Sequence, residues 1–105
     1  MTISNVLSIL QIELNMNIPE TGRTEIQNKT VTLLNHYIAV AMQEIKKEGL
    51  TLPQGTDADP FSEREGELVT MYAAWKYNNR ITHEGMPRAV RYALNNAIFS
   101  QKASS

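Results

Sequence analysis

Residues 71–99 read MYAAWKYNNRITHEGMPRAVRYALNNAIF, and the reading of this stretch decides the fold. It holds Trp75, the only tryptophan, three of the four tyrosines, and four of the ten basic residues (Lys76, Arg80, Arg88, Arg91). Asn78-Asn79-Arg80 closes one apolar-periodic run and Glu84-Gly85-Met86-Pro87 opens another. Two helices joined by a short polar turn follow from that punctuation. Pro87 suits a first helical turn, where its missing N–H would have gone unbonded anyway. Beyond it Val90, Leu94, Ala97 and Ile98 mark a buried face, with Arg88, Arg91 and Asn95 largely away from it. Gln101–Ser105 reads as a polar tail.

Upstream of this pair the chain supplies surfaces for it to lie on. Pro60 to about Asn79 reads as a helix with Leu68, Met71, Tyr72 and Trp75 on one face and Phe61 as a staple at its start. Two starts compete: Asp59-Pro60 as N-cap and first residue, and Ser62-Glu63-Arg64-Glu65 as a capping box. Gly66 inside the helix costs about 1 kcal/mol against alanine. With Ala73 and Ala74 it suggests close approach of another helix. Tyr77 falls off the stripe, so it is exposed or at an interface.

Thr24, with Glu25 in the first turn, caps the longest element. Ile26, Leu33, Leu34, Tyr37, Ile38, Ala41, Met42 and Ile45 recur in steps of three and four, a wide apolar stripe. Lys46 and Lys47 followed by Gly49 are a helix end. About 24 residues make a rod of roughly 36 Å. A first, short helix carries Val6, Leu7, Leu10 and Leu14, capped by Thr2 or Ser4. Pro19 and Gly22 bracket a loop in which Met16 and Ile18 are anchored, and Gly49–Asp59 is an irregular connector. The expectation is one all-α domain over residues 1–105, a small bundle of about four helices over 4–14, 24–48, 60–79 and 87–101, with a tail at 101–105.

At 105 residues the chain has the size of one domain and buries enough surface for one modest core. It has no cysteine, which removes disulfides, thiolate metal sites and cysteine catalysis, and fits a reducing compartment. No apolar run approaches the roughly 20 residues a membrane span needs, and Met1–Asn5 has none of the basic character of a signal peptide. The net charge of −1 hides an asymmetry. Residues 1–75 carry five basic and ten acidic side chains, and residues 76–105 carry five basic and one acidic. Such a split suits a nucleic-acid face, a surface for an acidic partner, or copies stacked head to tail.

Catalytic signatures are missing. There is no phosphate-binding glycine loop, no histidine pair at metal spacing and no nucleophile elbow. His36 reads as a boundary or core residue beside the long stripe, and His83 as a solvated turn residue. Asp57 and Asp59 have no further liganding pattern, and Glu63, Glu65 and Glu67 read as solvated charge. No enzyme, cofactor or metal site is expected. The last two helices invite a helix-turn-helix reading, with Arg88, Arg91 and Asn95 facing DNA. The turn is longer than that motif uses, and the acidic first three quarters offers no second basic surface for phosphates. A small DNA-binding regulator of this type is the alternative.

Tyr77-Asn78-Asn79-Arg80, a turn, Met86-Pro87-Arg88-Ala89-Val90 and then an apolar helix resemble the C-terminal half of tailed-phage head-tail connector proteins. These are the adaptor or head-completion subunits that form a ring beneath the portal. The layout before it, a short helix, a polar gap and a long helix ending in Gly-Leu, is similar too. The resemblance implies a structural virion protein at the head-tail interface of a bacteriophage, made in the host bacterial cytoplasm. Its copies would close a ring, expected to be a dodecamer, that docks on the portal protein and receives a stopper or tail-completion protein. DNA would pass through the ring without sequence readout, and no membrane is involved. Arg80 and Pro87 would then hold the turn. Arg88, Arg91, Lys102 and Tyr77 would contact the portal or a neighbouring subunit.

Overall fold

The computed structural model describes residues 1–80 and 84–103. Four helices follow in order: α1 (Ile3–Glu13), α2 (Glu25–Lys47), α3 (Glu63–Asn78) and α4 (Arg88–Ala103). No strand occurs among the described residues, so the molecule is a small all-α bundle. No described helix is long and apolar enough to cross a membrane. The expected Ile81–His83 turn and the solvated His83 lie outside the described residues, as do Ser104 and Ser105.

Each of the first three helices starts in a reciprocal capping box. Thr2 and Asn5, Thr24 and Gln27, and Ser62 and Glu65 exchange side-chain and backbone bonds, so two of the N–H groups stranded at each start are satisfied. At the start of α3 this decides between the two candidate caps. Ser62 wins, and the helix begins at Glu63 rather than Pro60. Asp59 instead accepts the Gln54 N–H at 2.9 Å and closes a turn with Thr56. α1 ends on Asn15 at φ 56, with Asn15 N–H bonding Ile12 O and Met16 N–H bonding Gln11 O. This is a Schellman closure in which asparagine takes the left-handed position that glycine takes after α2, where Gly49 has φ 113.

α3 is the central element, against which α1, α2 and α4 all lie. Its buried residues, Gly66, Leu68, Val69, Thr70, Tyr72 and Ala73, include three in succession, so it is covered on more than one side. This corrects the single-face reading, in which Met71 and Trp75 were core; both are only partly buried. One cluster joins Val6 and Leu10 of α1, Leu34, Ile38, Ala41 and Ile45 of α2, Leu68, Val69, Tyr72 and Ala73 of α3, and Val90 and Leu94 of α4. Leu50, Leu52 and Phe61 of the connector complete it.

Long-range backbone bonds seat the N-terminal residues on the connector. The Met1 ammonium donates to Phe61 O at 2.6 Å, Phe61 N–H donates to Met1 O at 2.6 Å, and Ile3 N–H donates to Gly55 O at 2.8 Å. Gly55 is required there. It has φ 77, and a Cβ would lie 2.7 Å from Ile3 and Phe61 side-chain atoms. Gly66 also marks a close approach. A Cβ on it would stand 2.5 Å from Met1 Sδ, so the visitor is a methionine side chain and not a helix backbone.

Two expectations on α2 fail. Ile26 is 77 % exposed and Leu33 is also exposed, whereas Val31 is buried; Ile26 lies past the end of the covering surface, and Leu33 falls between the buried Val31 and Leu34 on the outward side of the helix. His36 is exposed, with its ring edge-on to Tyr37. The expected tail is likewise helical as far as Ala103. Gln101 within it bonds both backbone groups of Thr51, accepting the N–H at 2.8 Å and donating to the carbonyl at 2.9 Å.

Candidate docking surfaces

The α3–α4 junction is built by the residues between the two helices. Asn79 closes α3 and spans the gap with its side-chain amide: Nδ2 donates to Glu84 O at 2.7 Å, and Oδ1 accepts the Glu84 N–H. Arg80 turns back on its own helix. Its Nη1 donates to Tyr77 O at 2.5 Å, and its guanidinium sits 3.8 Å from the centre of the Tyr77 ring. A cation over a tyrosine face gains from the ring quadrupole, and the carbonyl it takes is one a helix end leaves open. Pro87 comes directly before the first residue of α4, and its carbonyl receives the Arg91 N–H at 3.1 Å. Tyr77 is half-buried, edge-on to Tyr37 at 5.9 Å.

The sequence-predicted contact residues separate on α4. Arg88 is exposed, and none of its hydrogen bonds or ion pairs is recorded among the described residues. Arg91 is half-buried and bridges to Glu48 at 3.3 Å. It therefore ties α4 to the end of α2, which corrects its placement away from the packed face. Lys102 is exposed in the last turn and has an interaction of its own.

Beside Arg91 lies the most polar part of the interior. Lys76 and Glu44 pair at 3.4 Å. The Tyr72 phenol is pushed up to about 12, first by burial and then by the Glu44 and Glu48 carboxylates, with Arg91 acting the other way. Glu44 Oε2 and the Trp75 indole N–H are buried without a hydrogen-bond partner. These groups hold helices together. No group of three or more described His, Cys, Asp or Glu residues could hold a metal ion.

Two surface features escaped sequence reading. One is the outward face of α4. Arg88, Tyr92, Asn95, Phe99 and Lys102 follow one another in steps of four and three, opposite the buried Val90 and Leu94. Tyr92 is 62 % exposed and Phe99 75 %. The spacing was legible, but attention to the buried face passed over it. The other is a groove of about 780 Å³ between α1 and α3. Met1, Ile9 and Met71 supply its apolar lining and Glu13, Glu63 and Glu67 its carboxylates. No hydrogen bond or ion pair to these three carboxylates is recorded among the described residues. Only the tertiary fold brings Glu13 into one groove with Glu63 and Glu67, so no local pattern could have found it. No family model matches this chain, nor does any curated protein or solved structure.

Proposed function

We propose that this chain is a structural head-tail connector (adaptor) subunit of a tailed bacteriophage, forming a ring that docks on the portal and links the DNA-filled head to the tail. The reading is carried by the segment Tyr77–Val90. Its motif residues are the ones that join α3 to α4: Arg80 closes the α3 end, Asn79 spans to Glu84, and Pro87 precedes α4. The helix beyond them presents aromatic and cationic side chains outward. Two apolar-and-charged surfaces and a purely structural polar interior suit a protein whose work is contact. In this reading α4 and the Tyr77 end of α3 meet the portal or a neighbour, a stopper or tail-completion protein binds below, and DNA passes through unread. Its place is the virion, after synthesis in the host cytoplasm.

The test is to mix the purified protein with portal-bearing capsids that lack a connector and image them by electron microscopy. A ring of added density beneath the portal is expected. Capsids unchanged at saturating protein would overturn the reading. The DNA-binding alternative has less support, because residues 79–87 separate the two helices where a helix-turn-helix uses three or four. A duplex mobility shift that fades steeply with salt would favour it instead.

A further inference from the structure

We infer that the outward stripe of α4 on one copy seats in the α1–α3 groove of the next, a head-to-tail contact between identical chains. The two surfaces complement each other in chemistry. The stripe has two exposed aromatics, Tyr92 and Phe99, flanked by the cations Arg88 and Lys102. The groove has an apolar lining of Met1, Ile9 and Met71 and three carboxylates. Methionine thioethers are adaptable partners for aromatic rings, and opposite charges fix the register of the approach.

They also agree in length. Tyr92 and Phe99 are seven residues apart, about 10 Å along a helix. The α1 wall of the groove, Asn5-Ile9-Glu13, spans eight residues, about 12 Å by the same rise. Arg88 and Lys102 lie roughly 21 Å apart, so both cations overhang the ends of the aromatic pair. The carboxylates of the groove, Glu63 and Glu67 on α3 and Glu13 at the end of α1, carry the opposite charge.

The two surfaces cannot meet within one chain. The stripe faces away from α3, on the opposite side of α4 from Val90 and Leu94, while α3 forms one wall of the groove. Two different patches on one molecule make a heterologous contact, which closes into a ring or runs on as a filament according to the rotation per step. The inference deepens the connector reading, and rests on it only for closure of the ring. Two aromatics present roughly 300 Å² of contact area, well under the ~800 Å² per partner of a stable interface. Association of free chains is therefore weak and falls with added salt.

Sedimentation equilibrium tests this directly. In low salt the mean mass of the wild-type chain should rise reversibly with concentration, past that of a dimer. The stripe variant Tyr92→Ala/Phe99→Ala and the groove variant Glu13→Lys/Glu67→Lys should each associate at least tenfold more weakly. An equimolar mixture of the two should form a dimer and nothing larger, because each chain keeps one intact half. Should circular dichroism show that either variant loses helix, Phe99→Ala and Glu67→Gln singly serve the same purpose. A wild-type chain that stays monomeric throughout overturns the inference. So does association untouched by both variants. A mixture that stays monomeric while the wild type associates overturns it as well, since the intact stripe of one variant and the intact groove of the other should still pair. Ring density on capsids without this contact would reject the interface and keep the connector reading. Head-to-tail association with no capsid binding would do the reverse.

Discussion

The two ends of α2 carry the same helical spacing of apolar residues into quite different surroundings. From Leu34 to Ile45 the inward positions Leu34, Ile38, Ala41 and Ile45 are sealed in the core. From Glu25 to Thr30 nothing is buried, and Ile26 lies open to solvent. The first end is held by packing. The second is held by its own local bonds: the Thr24–Gln27 capping box, the Glu25–Lys29 pair at 3.5 Å, and Thr30 and Thr32 hydroxyls returned to carbonyls one turn back. Helical periodicity says where a face lies along a helix. It does not say how far the covering surface reaches.

That contrast can be broken or sharpened by experiment. The largest effect is expected from Ile38→Ala, which empties a core site and should cost about 2–5 kcal/mol in urea unfolding. If the loss were under 1 kcal/mol, the packed end would not be packed. Next comes alkaline pH, through Tyr72 beside the same end. Its folded pKa of about 12 lies above its ordinary value of 10.0. The resulting stabilisation is whole below pH 10 and is lost as pH rises toward 12. Tyr72→Phe should remove that part of the decline. Thr24→Ala, at the solvated end, should cost about 1 kcal/mol and fray the first turns in hydrogen exchange without reaching Leu34. The smallest effect is expected from Ile26→Ala, within about 0.5 kcal/mol of wild type. A loss comparable to that of Ile38→Ala would mean that the exposed end is covered in solution.

The same contrast explains what could be read from the sequence. The helices were legible because their signals are local. Thr24 and Gln27, and Ser62 and Glu65, sit three residues apart, and Gly49 follows the lysines that end α2. The rival start at Asp59-Pro60 was equally plausible locally, and Asp59 lost because it closes the connector turn with Thr56. The errors share a different cause. Ile26 and Leu33 read as core because their spacing is right. Arg91 read as outward because nothing nearby in sequence reveals Glu48. Gln101 read as tail because its partner, Thr51, lies fifty residues earlier. Arg80 bonds a carbonyl three residues back, one of those that a helix end leaves open. The groove was not legible, because Met1, Glu13 and Glu67 come to line one groove only when α1 lies along α3.

The position of α3 has a further consequence. With α1, α2 and α4 all resting on it, the inner helix absorbs the demands of folding, and the outer three each keep a side that folding leaves unspecified. Such a side can drift in sequence without cost to the core, and fresh adhesive chemistry can be tried there one residue at a time. A chain built this way can keep its skeleton while the partners it fits change.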